Sequence, residues 1–387
     1  MTPPDLLIVA PYAGGHHAEY LRWIVGGLAT RDVGRIAVAA HPVLLDAESD
    51  ALAAVDTRAL DVSPLAAPGS LWAAGRAVGA VVGDAIRAAR AAQVFLPALD
   101  HTQLALATGL RFEVPTRVSG ILLRATLHEP ATGLGDRISR LRKTALLRLA
   151  ARNPHLGAVL ALDPDAVAPL RRLGLDARWL PDPVETPAPG RSAGAVRASL
   201  GVEDGRTMLL LFGSLEVRKG VFDVLEALTD VPDEAARRLA LVVVGKTYDD
   251  MRPRLRAAVD AARQTAAHVV FQERFVPDGE LDDLVTAADV VLAPYRGHVG
   301  SSGVVLRAAA AGRPLLATAE GMVGREVRAH ALGQAVDTAD RAALAAALAT
   351  AAAAPDTGFA PARAAAYAEA HAVDRFADVI AAALRQP

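Results

Sequence analysis

The hydrophobic pattern alternates between short apolar runs and longer stretches with helical spacing. Leu6 to Ala10 has strand length, and the stretch after it places Leu21, Ile24, Val25 and Leu28 on one helical face. The same succession recurs up to residue 180 and again from residue 208. Strands that alternate with helices lie parallel, and ligands bind at their carboxyl ends. The pattern therefore predicts an α/β protein with doubly wound parallel sheets.

In the first half, the pattern predicts strands at Leu6 to Ala10, Ile36 to Ala40, Val94 to Leu99, Thr116 to Leu122, Ala158 to Ala161 and Ala177 to Leu180. In the second half, it predicts strands at Met208 to Phe212, Leu239 to Gly245, His268 to Phe271, Val290 to Ala293 and Leu315 to Thr318. The stretch 53–62 is ambiguous between helix and strand. Helical stretches separate most of these strands.

Pro181 to Gly190 is too rich in proline for a regular element and is interpreted as a linker between domains. A chain of 387 residues is also long for one core, so two domains are expected, 1–182 and 183–365. Two halves of this kind suit two Rossmann-like domains that face a cleft.

Composition narrows the function classes. An apolar fraction of 52% with a net charge of −2 fits a soluble enzyme and leaves no basic surface for nucleic acid. The chain has no cysteine, which excludes disulfides and thiolate metal sites. We see neither a signal peptide nor a membrane span and expect a cytoplasmic protein. Lysine occurs only at Lys143, Lys219 and Lys246, so each one is informative against the arginine-rich background.

Arg137 to Arg152 is a helical stretch with six basic residues among apolar ones. Such a helix can lie on an anionic membrane surface. We favour the simpler interpretation, a solvated arginine-rich face on a packed helix. Membrane association is therefore possible but not favoured.

A loop of small residues follows the strand that ends at Ala293. It contains Gly297, Gly300, Ser301, Ser302 and Gly303 and enters an alanine-rich helix. We expect Ser301 or Ser302 to cap this helix and Gly303 to leave room for a ligand. The unsatisfied N–H groups of a first helical turn attract phosphate.

FGSLEVRKG, residues 212–220, also connects a strand to a helix. Gly213 permits the turn, and Arg218 and Lys219 place two cations beside a helix N-terminus. Charge and backbone donors together suit a diphosphate.

These motifs resemble the nucleotide-sugar half of GT-B glycosyltransferases, particularly the retaining, GT4-like family that includes sucrose and trehalose-phosphate type synthases. Pro294, the GSSG turn at 300–303, Gly312 and Pro314 lie in matching places. The resemblance spans nearly the whole second domain. It implies a GT-B architecture in which a C-terminal helix, 366–387, packs back on the first domain.

The resemblance also implies site residues. It places Lys219 on the pyrophosphate, with Ser214 where the family has an arginine. It also lays the backbone of Phe271 to Pro277, which includes Phe275 and Val276, against the base. Phe275 itself is either a core residue or a base platform. The family's two donor-site glutamates fall on Val299 and Arg307. The implied donor-site set is Gly14, Gly15, Gly213, Ser214, Arg218, Lys219, Phe275, Val276, Gly300, Ser301, Ser302, Gly303, Val304 and Arg307.

The first domain offers candidate catalytic residues at its strand ends. His16 or His17 can act as general base on an acceptor hydroxyl if a carboxylate orients it, and Asp100 is the candidate orienter. That arrangement resembles inverting macrolide and flavonoid-type glycosyltransferases. In the retaining family a later histidine touches the donor sugar, which points to His101 or His128.

No metal site is predicted. The LDPD sequence at 162–165 superficially matches a metal signature, but Asp165 more simply starts a helix. Lys219 and helix termini can balance a departing diphosphate without an ion.

The sequence therefore predicts a glycosyltransferase that moves a sugar from a nucleotide-diphosphate sugar, a UDP-sugar first, to an acceptor hydroxyl. Retention is favoured, an inverting enzyme with a His16/His17–Asp100 base is the alternative, and a non-catalytic relative is the third. No further cofactor is expected. The acceptor stays open among small molecules, carbohydrates and lipid headgroups.

Overall fold

The computed structural model of the protein describes residues 2–14, 17–66, 70–108, 116–125 and 133–385. The chain divides into two compact units. The first contains the chain up to Asp182 together with the segment from Val373 onward, and the second contains Pro183–Ala372. The predicted boundary after residue 182 falls at the same place.

The described part of the first unit forms one seven-stranded parallel sheet in the order β3-β2-β1-β4-β5-β6-β7. Its strands are β1 Leu6–Ala10, β2 Ile36–Ala40, β3 Asp56–Ala59, β4 Gln93–Leu96, β5 Arg117–Leu122, β6 Leu156–Ala161 and β7 Ala177–Trp179. Its helices up to the linker are α1 His17–Ala29, α2 Pro42–Ala47, α3 Ser49–Leu52, α4 Leu71–Ala89, α5 Gln103–Ala107, α6 Leu134–Ala150 and α7 Pro164–Arg172.

The second unit is built around a six-stranded parallel sheet in the order β10-β9-β8-β11-β12-β13. Its strands are β8 Thr207–Phe212, β9 Leu239–Gly245, β10 His268–Glu273, β11 Val290–Ala293, β12 Leu315–Thr318 and β13 Gly333–Val336. Its helices are α8 Ala193–Ser199, α9 Val221–Leu228, α10 Asp233–Ala236, α11 Arg252–Ala262, α12 Asp278–Ala287, α13 Gly303–Ala310, α14 Gly321–His330, α15 Arg341–Ala353 and α16 Pro361–Ala370. The last helix, α17 Val373–Leu384, belongs to the first unit.

The central strands of each sheet are buried on both faces. In β1, Leu6 and Ile8 face a core that includes α1 and α17, whereas Leu7 and Val9 face the opposite core. The second sheet divides in the same way, with Leu209 in one core and Leu210 in the other. Helices on both faces of a parallel sheet make each unit a doubly wound, Rossmann-like domain.

In each sheet the strand order reverses beside the first strand. β1 lies between β2 and β4, and β8 lies between β9 and β11. Loops that leave adjacent strands on either side of such a reversal diverge and open a crevice at the carboxyl edge. The loops after β1 and β4, and those after β8 and β11, are therefore the ones positioned to hold ligands.

The structure corrects the predicted C-terminal helix. The stretch 366–387 is not one helix, because α16 ends at Ala370 and α17 begins at Val373. A hydrogen bond connects this break to the linker: the N–H of Val184 donates to the carbonyl of His371 at 2.8 Å. The part before Val373 consequently packs with the second unit.

Smaller differences have local causes. The strand predicted to reach Leu99 ends at Leu96, immediately before Pro97, and a 3₁₀ turn then spans Leu99–His101. The ambiguous stretch contains β3, whose four residues are all exposed and thus lack an apolar pattern. None of the described helices is long and apolar enough to cross a bilayer.

Candidate functional site

The head of α13 lies at the carboxyl edge of the second sheet. Two glycines with positive φ, Gly297 at +56° and Gly300 at +99°, turn the chain between β11 and this helix. Ser302 occupies the N-cap position, yet its side chain makes no capping bond. Its hydroxyl instead bonds the Tyr295 hydroxyl at 2.8 Å. Of the two residues expected to cap the helix, Ser302 therefore does not, and its side chain leaves the first-turn N–H groups uncapped.

Neither the backbone conformation nor a neighbouring atom of the protein requires glycine at position 303. Its φ is not positive, so its backbone does not require glycine. A Cβ built there meets nothing within 4 Å, which means that the position borders open space. Gly213 also borders open space, although its φ of +107° favours glycine by itself. Both predicted glycines thus leave room at the sheet edge.

Lys219 is tied to the start of α13 through Tyr295. Its Nζ donates to the Tyr295 hydroxyl at 3.1 Å and lies 4.4 Å from the centre of the Tyr295 ring. Tyr295 is 2% exposed, and its hydroxyl also forms a hydrogen bond with the hydroxyl of Ser302, the residue before Gly303. The structure therefore brings together the two elements that the sequence analysis assigned to the diphosphate.

Arg218 forms a second connection between the same two loops. One terminal nitrogen lies 2.9 Å from Nδ1 of His298, and the other donates to Glu216 at 2.7 Å. The other ring nitrogen of His298 lies 3.0 Å from the carbonyl oxygen of Ser301. An arginine at Nδ1 and a carbonyl at Nε2 suit a neutral ring that carries its proton on Nε2. The network fixes the small-residue loop before α13.

Sequence reasoning missed Tyr295 and His298 as parts of this network. A tyrosine directly after a strand carries no recognisable spacing, and its partners lie 76 and 7 residues away. The signal that could have led to Tyr295 was Lys219, which stands out because lysine is rare. A buried tyrosine hydroxyl needs a polar partner, and Lys219 is that partner here.

The segment that was predicted to meet a base is partly exposed. The Phe275 side chain is 66% exposed, and the Lys246 ammonium lies 5.2 Å from the ring centre. The interpretation of Phe275 as a core residue is therefore wrong. Val276 is half-buried and packs against the core of the second unit. The side chain of Ser214 is exposed in the loop that precedes Lys219.

The two positions where the resemblance expects glutamates differ from each other. Val299 is 45% exposed in the loop. Arg307 donates to Asp282 at 2.9 Å and to Asp278 at 3.1 Å, which links α13 to α12. Val304 is buried, so any ligand contact must come from its backbone. A donor-site role for Arg307 stays a prediction, in competition with these two ion pairs.

In the first unit, Tyr12 and His101 form an aromatic pair at the sheet edge. Their ring centres lie 4.2 Å apart, and the His17 ring lies 6.4 Å from that of Tyr12. Burial lowers the pKa of His101, Asp100 opposes this shift, and Arg124 adds to it. Burial also raises the pKa of Tyr12. A lowered pKa favours the neutral form of the His101 ring, which is the form that can accept a proton.

Asp100 has a structural role that the sequence did not indicate. Its carboxylate accepts hydrogen bonds from the N–H of Leu123 at 2.6 Å and from the N–H of Arg124 at 3.2 Å. These bonds join the turn after β4 to the end of β5. An orienting role of Asp100 toward His16 or His17 stays a prediction, in competition with these two backbone hydrogen bonds.

Gly14 borders open space, since a Cβ there meets nothing within 4 Å. Gly15, His16 and His128 lie outside the described residues. Within the described ranges, no group of three or more histidine, aspartate or glutamate side chains is arranged to hold a metal ion. In the LDPD sequence, Asp163 caps α7 by accepting from the N–H of Asp165 at 3.0 Å.

Comparisons with known proteins point to one group. Residues 206–353 match the model of the family described as "Glycosyl transferases group 1". This match covers less than half of the chain, all of it within the second unit. No curated protein matches the chain by sequence.

Solved structures match over the whole chain. HepE from Anabaena, in complex with UDP, has a TM-score of 0.73 at 16% identity and covers 98% of this chain and 99% of its own. Sucrose-phosphate synthase from Thermosynechococcus elongatus scores 0.74 at 17% identity, with 98% of each chain covered. A trehalose-6-phosphate structure from E. coli, bound with UDP-2-fluoro glucose, scores 0.72 at 13% identity, with 99% of each covered. The likeness confirms the predicted GT-B fold, with its two Rossmann-like parallel-sheet domains.

Proposed function

We propose that the chain is a glycosyltransferase that moves a sugar from a nucleotide-diphosphate sugar to an acceptor hydroxyl. The second unit holds the donor, and the first unit holds the acceptor. One observation carries the proposal. Lys219 is tied through Tyr295 to the start of α13, whose N-cap side chain leaves the first-turn N–H groups uncapped. These residues lie inside the segment that matches the glycosyltransferase family.

The chemistry of this arrangement suits a departing diphosphate. Negative charge grows on the bridging oxygen as the bond to the sugar breaks. N–H groups at a helix start and a fixed ammonium stabilise that charge without reorganising. Gly303 and Gly213 leave room for the phosphates to approach the backbone. In this proposal the protein itself balances the leaving group, and the reaction is independent of a metal ion.

A UDP-sugar is the first donor to test. HepE is described in complex with UDP, and the E. coli structure is bound with UDP-2-fluoro glucose. In this chain the exposed Phe275 ring, with Lys246 beside it, is a candidate surface for the base. Nothing in an aromatic face selects uracil by hydrogen bonding, so the other nucleotides belong in the same experiment.

We propose retention of anomeric configuration, as implied by the resemblance to the sucrose and trehalose-phosphate type synthases. Catalysis is then mainly positioning and electrostatic stabilisation. The lowered pKa of His101 favours a second candidate function, an inverting transferase in which a histidine deprotonates the acceptor.

A thermal-shift panel tests the donor side. The panel consists of UDP, GDP, ADP and TDP and the glucose ester of each, and every compound is added to the protein separately. A ligand that binds the folded state raises the temperature of the unfolding midpoint. The proposal expects one nucleotide series to raise it. If no nucleotide shifts the midpoint at millimolar concentration, the proposal is wrong.

NMR of the first products then separates the two mechanisms. The sugar-nucleotide that binds is incubated with a panel of alcohols, sugars and sugar phosphates, and the anomeric coupling constant of the product is read. An α-linked product from an α-linked donor supports retention. A β-linked product supports the histidine base. Binding without any turnover across the panel would favour a non-catalytic relative.

A further inference from the structure

The outer face of α6 carries a stripe of large apolar side chains that no part of the described structure covers. Leu134 is 74% exposed, Ile138 59%, Leu141 71% and Leu149 45%. Their spacing places them on one side of the helix, with Ala145 between them. The stripe is about 22 Å long at 1.5 Å per residue. We call it the α6 stripe.

The opposite side of α6 is the one that packs. Leu147 and Ala150 are buried in the core of the first unit. The Lys143 ammonium donates to the carbonyl of Arg124 at the end of β5. The helix therefore does not need the α6 stripe for its own packing. A row of large apolar side chains as exposed as these marks an interaction face.

Arginines border the α6 stripe on both sides. With 100° per residue, Arg137 and Arg148 follow one edge and Arg142 follows the other. All three are exposed. Among the described residues, none of the three forms an ion pair with a carboxylate. Their charge is therefore available to an external anion.

An apolar centre with cations on both borders is complementary to the boundary of an anionic bilayer. The leucines and the isoleucine can enter the acyl region, while long arginine side chains reach the lipid phosphates. A protein partner would have to bring carboxylates to both borders of the α6 stripe. A bilayer supplies phosphates on both sides of the helix without any such arrangement.

We propose that the α6 stripe and its bordering arginines dock the protein on anionic membrane surfaces, with α6 parallel to the bilayer plane. Of the two interpretations that the sequence left open for this helix, the exposure of the α6 stripe favours the membrane surface over the merely solvated arginine-rich face. The docking is peripheral, since no described helix can cross a bilayer. It does not depend on the proposed sugar transfer, because no nucleotide or acceptor takes part.

Vesicle co-sedimentation tests the proposal. Full-length protein is mixed with vesicles of equal parts phosphatidylcholine and phosphatidylglycerol, or of phosphatidylcholine alone, at 20 and 500 mM salt. The expected result is binding to the mixed vesicles at low salt, and weak binding to the neutral ones. High salt should weaken the binding, because it screens the arginines. Absence of binding to the mixed vesicles at low salt would overturn the proposal.

Matched variants identify the surface. Leu141→Ser should lower the partition coefficient about tenfold, since one large apolar side chain no longer enters the bilayer. Val43→Ser, which changes a 56% exposed valine on α2, should leave it unchanged. Arg137→Gln with Arg148→Gln should lower it about fivefold for each charge. Removing two exposed arginines of the second unit, by Arg237→Gln with Arg263→Gln, controls for net charge.

Two results would contradict the assignment. Equal losses in the α6 variants and in their controls would mean that vesicle binding lies elsewhere on the protein. Sedimentation equilibrium without lipid is the second measurement. A dimer that Leu141→Ser converts to a monomer would show that a second copy of the chain, and not a bilayer, covers the α6 stripe.

Discussion

Gly303 and Gly220 lie close to the proposed diphosphate site for opposite physical reasons. Gly303 has an ordinary φ and open space where a side chain would start. Gly220 has a φ of +72°, and a Cβ there would lie 2.0 Å from the carbonyl oxygen of Pro294. Only the first glycine can be replaced without strain. The pair therefore separates an effect on the ligand from an effect on the fold.

Gly303→Ala should weaken diphosphate binding at least tenfold, about 1.4 kcal/mol, because the methyl group enters the space proposed for the phosphate. Stability should stay within about 1 kcal/mol of wild type, since alanine favours a helix over glycine. Affinity from calorimetry and stability from urea unfolding check both statements. Gly220→Ala is the contrast and should destabilise the second unit by at least about 2 kcal/mol, the scale of a strained left-handed residue plus its clash. Unchanged affinity in Gly303→Ala would remove the head of α13 from the site.

Lys219→Ala should weaken binding of the same nucleoside diphosphate by about 1 to 3 kcal/mol, the scale of a charge-assisted contact. Tyr295→Phe removes the hydroxyl that holds the ammonium and should have a smaller effect of the same sign. Calorimetric titration measures both. Arg237→Gln, an exposed cation of the same unit, is the control for net charge. An affinity loss in the control equal to that in Lys219→Ala would mean that general charge, and not this lysine, attracts the ligand.

His101 gives the first unit a pH dependence with a defined sign. Burial and Arg124 lower its pKa in the folded protein below the ordinary value of 6.5, and Asp100 opposes the shift. Below pH 6.5, the His101 side chain of the unfolded chain therefore binds a proton more readily than that of the folded chain does. The contribution to stability is therefore present above pH 6.5 and is lost as the pH falls through the folded pKa.

Urea unfolding at pH 7.5 and 5.5 tests this sign. All three tryptophans, at positions 23, 72 and 179, lie in the first unit, so tryptophan fluorescence reports on that unit. His101→Gln should lose less stability than wild type between the two pH values. The lowered pKa of His330, caused by burial and Arg363, belongs to the second unit and should not affect this signal. Identical pH dependence in both proteins would contradict the account.

At the scale of elements, α17 completes the first unit. Phe376 and Ile380 are fully buried in the core that also holds Leu21 and Ile24 of α1. Gly27 permits the close approach of the two helices, because a Cβ there would lie 2.5 Å from the Cβ of Ala377. Arg31 of the same region donates to Asp378 at 3.0 Å. The C-terminal segment is therefore part of the core of the first unit.

Phe376→Ala should destabilise the first unit by about 3 to 5 kcal/mol, the range for removing a buried phenylalanine side chain. Its ring packs against Tyr20 with centres 5.8 Å apart, and Tyr20 in turn packs against Trp23. Tryptophan fluorescence during urea unfolding should thus detect the loss directly. Asp374→Asn changes a 91% exposed carboxylate on the same helix and should stay within about 0.5 kcal/mol. Equal effects of the two substitutions would show that α17 is not packed as described.

The break between α16 and α17 illustrates what sequence patterns miss at this scale. Alanine-rich segments on both sides of it favour a helix, and no proline or glycine interrupts 362–384. The interruption comes from a tertiary contact, the bond between Val184 and the carbonyl of His371. Periodicity describes one segment at a time and contains no information about such partners.

At the scale of the whole molecule, the alternation of apolar runs and helical stretches was sufficient to predict two parallel-sheet domains. Buried parallel strands are nearly continuous apolar runs, so their positions stand out, whereas the exposed β3 did not. Strand order and the contacts between loops do not follow from such runs. Lys219 was found from its motif at residues 212–220 and from the rarity of lysine. Tyr295 was missed because its partner Lys219 comes from a distant loop. Composition likewise identified the arginines of α6 without indicating which of its faces is packed.

The most direct test of the central claim is a calorimetric titration of UDP, GDP, ADP and TDP into the wild-type protein and the Gly303→Ala and Lys219→Ala variants. We expect one nucleoside diphosphate to bind wild type with one site per chain. Gly303→Ala should bind it at least tenfold more weakly, and Lys219→Ala should lose about 1 to 3 kcal/mol of binding free energy. Wild-type affinity in both variants, or no heat with any of the four nucleotides, would contradict a donor site at the head of α13.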